Sequence, residues 1–497
     1  MILKKLFASK NTSFAVDSIV LTFSKVLAGV VQILVTMILS KYRSLQEYGT
    51  FTQMLLVVNL IDSILMMGLP NSISFFLGRS KELKSRQDFL SAYYTLNTIL
   101  TFISGAVLLA CIVPIQLYFK NDSIGSYWYF LAFFPWATVT SSAMENMCVS
   151  SQKTNFLIPF KICHSVSSIL VAFLCYLCKA PFQIYIIGYL ISEGTFALLT
   201  YIFSFFLAKQ VKFSLNKTII KSIFAFSIPI GIASAVGTLN AEIDKFMIGW
   251  FLSTDDVAIY SNSAKDLPLT IFAISMTAAL LPRMSKILKD KKYEEGTQMW
   301  GRAIVVSLSI IALFSLGCFT FAEDVVLLLY GDKYLPGVDV FRVFAILLLF
   351  RCTYWGMILN ASGNTKFIMY SSLAALVVNI ILNFAFFKLF GMIGCAISSF
   401  VSTASISLVQ LFYTCKITKI PLNRILPWKK MFIILAINCT LAIVFFRIKD
   451  MSLLDKTFGS FYESLFLGCC WGLIYIPLLH CFRVLDLKIL AKKGFGK

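Results

Sequence analysis

The run IIKSIFAFSIPIGIASAVGTL, from Ile219 to Leu239, carries a single charge in 21 residues. A helix needs about 20 mainly apolar residues to cross the hydrocarbon of a bilayer, and comparable runs recur along the chain. By that rule the sequence predicts about fourteen transmembrane helices. They fall near 14–40, 48–77, 89–117, 127–149, 156–178, 182–208, 218–252, 257–282, 297–321, 338–360, 367–387, 391–414, 430–447 and 459–482. The expected fold is an all-α polytopic membrane protein. Charged residues make up only 14% of the chain, against roughly 25% in a soluble domain, too few to cover a globule of this size. The start, MILKKLFASKNTSFAVDSIV, is basic, but its apolar stretch runs on to about Leu39 and no small-residue cleavage site closes it. It reads as a first membrane helix rather than a removed signal.

Lys and Arg in the connecting segments set the orientation, because cytoplasmic loops hold the excess of positive charge. With the N-terminus inside, 28 basic residues fall in inner segments and 9 in outer ones, so both termini are expected in the cytoplasm. The net charge of +20 therefore reports topology. No basic segment interleaved with aromatics marks a soluble nucleic-acid module, and nucleic acid is not an expected partner. The thirteen cysteines, including Cys111, Cys163, Cys318, Cys395 and Cys439, sit mostly in apolar runs. They read as buried small hydrophobes, since neither Cys175/Cys178 nor Cys469/Cys470 has a second ligand pair at zinc-site spacing.

A repeat lies within the chain. SLQEYGTF follows the first span and STDDVAIY the seventh, placing Glu47 and Asp256 209 positions apart. GLPNSISF matches LLPRMSKI, with Pro70 and Pro282 separated by 212, and SSQKTNFL matches ASGNTKFI, with Thr154 and Thr365 separated by 211. Six spans per repeat is an even number, so the two halves enter the membrane in the same direction, as parallel repeats do. The expected organisation is a six-helix bundle over 1–213, its repeat over 214–416, and two further helices with a cytoplasmic tail over 417–497.

Seven basic residues remain inside the spans: Lys25, Lys161, Lys245, Lys265, Arg302, Arg342 and Arg351. Charge near hydrocarbon costs roughly 2.5–3.5 kcal/mol on insertion scales and tends to mark function. Lys161, Arg302 and Arg342 lie close enough to an interface to snorkel, whereas Lys25 and Arg351 lie near mid-membrane. In the seventh span Ser227, Gly231, Ser234, Thr238, Ala241 and Lys245 form a small, polar stripe. Arg351 precedes Tyr354 and Trp355, aromatics suited to stacking on a sugar. Candidates for a cationic, substrate-binding cavity are Lys25, Lys245, Lys265, Arg351 and Arg302. Acids are embedded too, among them Asp17, Asp62, Glu145, Glu193, Glu242, Asp244 and Asp266. Glu242 and Lys245 have the spacing to pair, and Asp244 with Lys265 or Lys245 with Asp266 are alternatives.

Several chemistries lack their residues. No G-x-x-x-x-G-K-[ST] loop and no G-x-G-x-x-G after a strand occurs, so no nucleotide or other cofactor is expected. The two histidines, His164 and His480, read as helix residues rather than metal ligands. No soluble segment exceeds about 30 residues, which leaves no room for a catalytic domain, and a transporter rather than an enzyme is expected.

LQEYGTF after span one, DKFMIGWF in span seven, LLYGDKYLPG after span nine, LNASGNTKF after span ten and FGMIGCAISS at span twelve carry a resemblance over essentially the whole chain. The chain resembles the Wzx-type flippases, the polysaccharide-transport branch of the multidrug/oligosaccharidyl-lipid/polysaccharide exporter superfamily, related to MurJ and the MATE exporters. The resemblance implies a flippase in the bacterial inner membrane that moves undecaprenyl-diphosphate-linked oligosaccharide to the outer leaflet by alternating access, driven by an ion gradient. Polysaccharide polymerase and glycosyltransferases are the partners it implies. Asp62, Glu145, Glu193 and Asp244 are candidates to carry the coupling ion, and the sequence selects none of them. Two rivals stand beside this reading. A MATE-type drug or cation antiporter should have an acidic rather than a basic cavity, and an intramembrane polymerase or ligase should have a long outer loop.

Overall fold

A computed structural model describes residues 14–80, 82–265, 269–451, 460–482 and 484. Asp266 and much of the terminal basic segments lie outside the described residues, as does the side chain of Asp17. The described residues are helical, with no strand among them. In order they form α1 (Phe14–Tyr42), α2 (Leu45–Leu65), α3 (Leu69–Arg79), α4 (Leu83–Ala110), α5 (Ile112–Phe119), α6 (Trp128–Ser150), α7 (Leu157–Leu177), α8 (Phe182–Ala208) and α9 (Lys217–Phe251). The second half contains α10 (Thr254–Ser263), α11 (Thr270–Lys289), α12 (Tyr293–Thr320), α13 (Ala322–Tyr330), α14 (Val338–Phe350), α15 (Met357–Ala361), α16 (Thr365–Phe390) and α17 (Met392–Thr418). The short α18 (Leu422–Ile425) then leads to α19 (Trp428–Asp450) and α20 (Ser460–Cys481).

Eleven of the described helices are long and apolar enough to cross a bilayer, where the sequence predicts about fourteen spans. The other three predicted spans have local causes. Near 127–149, α6 is continuous but carries Thr138, Thr140, Ser141, Ser142 and Glu145, which lower its hydropathy. Near 257–282 the segment divides into α10 and α11. Near 338–360 the helix stops at Arg351, and α15 restarts only at Met357. Two side chains satisfy the carbonyls this interruption releases: Ser307 Oγ donates to the Cys352 carbonyl at 2.5 Å, and the Trp355 indole N–H to that of Phe350 at 2.7 Å. Irregular backbone at membrane depth is tolerated where protein or a wet cavity surrounds it. The predicted span 48–77 is interrupted too, at Met66–Gly68, where Met67 and Gly68 take left-handed φ of 46° and 70°.

The element order of the first half recurs in the second. The series α4, α5, a 3₁₀ turn at Asp122–Tyr127 and α6 is matched by α12, α13, a 3₁₀ turn at Asp332–Gly337 and α14. Each start lies 210 positions after its counterpart, from Leu83 and Tyr293 to Trp128 and Val338. The match between SLQEY and STDDV has a physical cause. Ser44 Oγ accepts the Glu47 N–H at 3.1 Å while Glu47 Oε2 accepts the Ser44 N–H at 3.2 Å. Ser253 and Asp256 exchange the same two bonds at 3.2 and 3.0 Å. Both are capping boxes that start the second helix of their half. Pro70 and Pro282 are not equivalent in structure: Pro70 opens α3, whereas Pro282 lies inside α11.

Two compact units result, residues 1–261 and 262–497. The helix α9, which the sequence places at the head of the second repeat, packs within the first unit against α2, α3, α4 and α5. Its contact with the α2–α3 interruption is backbone to backbone. A β-carbon built on Gly231 would lie 2.6 Å from the Gly68 nitrogen and 2.5 Å from the Met67 α-carbon. Within the second unit a core around Trp300, Ile304, Ile311, Trp471 and Tyr475 ties α12 to α19 and α20. Not all cysteines are buried as expected. Cys148, Cys175, Cys352 and Cys395 are, but Cys163, Cys178, Cys439, Cys469 and Cys481 are exposed.

Candidate functional site

Two polar regions form inside the first unit. The first joins α1, α6, α7 and α8. Lys25 Nζ on α1 lies 3.7 Å from Glu145 Oε1 on α6, and Lys161 Nζ on α7 lies 3.5 Å from the other oxygen of the same carboxylate. At 3.7 Å the Lys25 ammonium is beyond hydrogen-bond reach of Glu145, and half of its side chain is exposed. Its N–H donors are thus attracted by the acid without being used up by it. One turn along α7, His164 Nε2 lies 2.8 Å from Glu193 Oε1 on α8, and Ser167 and Ser192 share a hydrogen bond of 2.6 Å. Glu193 is only 5% exposed.

The second region lies between α2 and α9. Asn59, Ser234, Gly237, Thr238, Ala241 and Glu242 line an open cavity of about 570 Å³, within the range of roughly 300–1,000 Å³ typical of ligand sites. The small residues at 234, 237, 238 and 241 create the space, and Glu242 supplies charge at one end. Lys245, one turn on, holds Glu242 at 2.5 Å, so this wall is polar but electrically balanced. Asn59 lies one turn before Asp62, whose Oδ1 accepts the Ser104 hydroxyl at 2.6 Å.

Asp244 is separated from its neighbours by burial. It is 3% exposed, and its Oδ2 accepts the Tyr260 hydroxyl at 2.6 Å while Oδ1 accepts the Lys245 N–H at 3.0 Å. Tyr260 is itself fully buried. Tyr260→Phe is expected to lower stability by about 1–3 kcal/mol, the cost of removing one hydroxyl donor from a buried carboxylate. Glu242→Gln, which breaks a partly exposed pair, should cost less than about 1 kcal/mol. Thermal unfolding of the two purified variants in detergent checks the contrast.

The remaining candidates belong to the second unit. Arg302 is exposed on α12, Arg351 ends α14 half-buried, and Lys265 is half-buried just after α10. Trp355 is packed rather than presented, its ring edge-on to Trp300 at 6.3 Å. Arg342, expected to snorkel, lies between Asp339 at 2.9 Å and Glu323 at 3.1 Å, both mostly exposed. Lys161, assigned to the same behaviour, is part of the Glu145 pair. The sequence marks His164 as a helix residue without indicating its partner, for which one signal was present. His164 and Glu193 stand fifteen and fourteen residues either side of Lys179, at the turn joining α7 and α8, which places them at one depth in an antiparallel hairpin.

Comparison with known proteins extends this description. The family described as "Polysaccharide biosynthesis protein" matches residues 38–339. An uncharacterized membrane protein of Methanocaldococcus jannaschii is 28% identical over 201 residues, 40% of this chain and 46% of that protein. The capsular polysaccharide biosynthesis protein CapF of Staphylococcus aureus is 24% identical over 234 residues, 44% of this chain and 59% of CapF. The chain thus spans about half the length of the curated relatives it matches. Among solved structures, the lipid II flippase MurJ in an inward closed conformation superposes with a TM-score of 0.72 at 15% identity, over 95% of this chain and 100% of MurJ. An inward-facing MATE family multidrug resistance transporter gives 0.63 at 14% identity, over 79% of this chain and 94% of the transporter. At these identities the likeness is one of fold, which flippase and drug exporter share.

Proposed function

The chain belongs to the polysaccharide biosynthesis protein family, and from that premise we propose that it is a flippase for a lipid-linked glycan. The family match over residues 38–339 is the observation that carries this reading. The substrate is an undecaprenyl-diphosphate-linked oligosaccharide, moved from the cytoplasmic to the outer leaflet of the bacterial inner membrane, with both termini of the chain cytoplasmic. Glycosyltransferases make this substrate and a polymerase consumes the product.

The chemistry of such a headgroup explains the polar regions. A diphosphate needs N–H donors in a place where water is scarce, and Lys25, Lys245, Lys265, Arg302 and Arg351 are assigned to it. Sugars need small, polar walls, which Asn59, Ser234 and Thr238 supply around a cavity of about 570 Å³. Two repeats rocking about a fixed site provide alternating access, and an ion gradient drives the cycle through one of Asp62, Glu145, Glu193 or Asp244. A MATE-like exporter has the same fold, but its cationic cargo would meet lysine and arginine at these sites.

Depleting the protein from its host tests the reading. Lipid-linked glycan should accumulate with its sugars facing the cytoplasm, and surface glycan should fall. Unchanged glycan together with greater sensitivity to cationic drugs would favour the exporter instead.

A further inference from the structure

The charges of α7 serve two partners from one face. Lys161 and His164 are three residues apart, a spacing that puts side chains side by side on a helix. Lys161 meets Glu145, which also attracts Lys25, and His164 meets Glu193. The imidazole lies against aromatic rings, with the centroids of Phe196 and Phe160 at 4.7 and 6.4 Å. Glu193 is buried and is the only charged residue of α8. A buried carboxylate needs a donor, and an imidazole offers an N–H in either protonation state.

The charge count turns on His164 alone. Lys25 and Lys161 carry two positive charges, Glu145 and Glu193 two negative ones. With a neutral imidazole the cluster sums to zero, and with a protonated one to +1. Among the described residues, the one further charge beside this cluster is Lys153, at the turn between α6 and α7, which acts on the Cys148 thiol together with Glu145 and Lys161. From α1 the facing charge is Lys25, from α6 it is Glu145, with the Cys148 thiol one turn on. From α8 Tyr189 lies one turn before Glu193. The charges of α4, namely Lys84, Arg86 and Asp88, lie by Gln87, whose amide donates to the Ala208 carbonyl, fifteen residues along α8 from Glu193; its Tyr94 hydroxyl donates to the Thr200 carbonyl. Histidine is the side chain whose ordinary titration falls between about pH 5 and 8.

We propose that His164 and Glu193 form a proton-binding site that switches the polar wall of α1, α6, α7 and α8 between zero and positive charge, and so links proton occupancy to the binding of an anionic headgroup. A wall at +1 attracts a diphosphate that a neutral wall does not, and by reciprocity the bound anion holds the proton. This assignment rests on the flippase reading for the identity of the anion, while the proton site itself does not.

Two measurements separate the claims. The chain has only His164 and His480, and His480 is exposed at the end of α20. In ¹⁵N-histidine-labelled His480→Gln protein, one imidazole remains to report by NMR. It should change protonation state within the range from about pH 5 to 8.5 in which histidine ordinarily titrates, and the transition should differ between the parent and Glu193→Gln. An imidazole that keeps one form throughout, or ignores Glu193→Gln, overturns the proposal. In vesicles holding a fluorescent polyprenyl-diphosphate glycan, the rate should vary at least about fivefold across this range for the parent, and less than about twofold for His164→Gln. A His164→Gln profile matching the parent's also overturns it. A parent protein that moves no lipid at any pH defeats the flippase reading instead, and the NMR titration then decides the proton site by itself.

Discussion

Cells whose chain carries Lys25→Ala, Lys245→Ala and Arg351→Ala together are expected to make the protein at the parent's level and to lose the surface glycan. Each ammonium or guanidinium bonded to a phosphate oxygen contributes about 1.5–3 kcal/mol. Losing three such bonds should therefore weaken headgroup binding by about a thousandfold or more. The structural cost is smaller. Lys25 leaves Glu145 with Lys161 at 3.5 Å, and Lys245 leaves a Glu242 that borders the open cavity. Arg342→Ala is the control. Its partners Glu323 and Asp339 are mostly exposed, and it should change glycan export by less than about twofold. Immunoblotting of membranes beside glycan staining reads both outcomes. Normal glycan from the triple variant would remove these residues from the headgroup's path.

A leucine at Gly231 is expected to act on folding rather than on binding. The new β-carbon would meet main-chain atoms at Met67 and Gly68, with 2.6 Å to the Gly68 nitrogen, and a backbone cannot rotate aside as a side chain can. Gly68 itself sits in the left-handed conformation, φ 70°, that turns the chain between α2 and α3 and that glycine adopts without strain. The expected cost is about 3 kcal/mol, the upper part of the range for overpacked sites, seen as a lower unfolding temperature and a poor yield of monodisperse protein. Gly237→Ala on the same helix has nothing within 4 Å of the added carbon, and its stability should match the parent's. Equal loss from both changes would show that α9 tolerates no substitution for a reason other than this crossing.

These two positions differ in how readable they are from sequence. Gly231 looks like one more small residue in a polar stripe, and only the approach of the α2–α3 interruption makes it irreplaceable. That interruption left a trace in Gly68-Leu69-Pro70, since proline favours the first turn of a new helix. The stop after Phe350 left none, because Ser307 caps it from 45 residues earlier in the chain and Trp355, five residues on, looks like any other aromatic of an apolar run. The apolar runs and the capping boxes at Ser44 and Ser253 were legible because length and local chemistry alone produce them. The charged pairs were legible in principle. Glu145 and Lys161 lie eight residues either side of Lys153, and Asp244 and Tyr260 eight either side of Leu252. Depth judged from the nearest membrane face sent Lys161 and Arg342 to the interface, whereas distance from the connecting turn finds the partner of Lys161. The balance of charge was not legible: Lys25 and Lys245 each face a carboxylate, so their walls are less cationic than a count of lysines suggests.

Reconstitution tests the central claim most directly. Purified protein is placed in vesicles with a fluorescent undecaprenyl-diphosphate oligosaccharide in the bilayer, and a membrane-impermeant quencher reports how much of the glycan faces outward. With the parent chain the protected fraction should exchange across the bilayer within minutes, and with the Lys25, Lys245 and Arg351 triple variant it should stay where it began. Glycan that remains on its own side with parent protein, under an imposed proton or sodium gradient of either direction, would contradict the account.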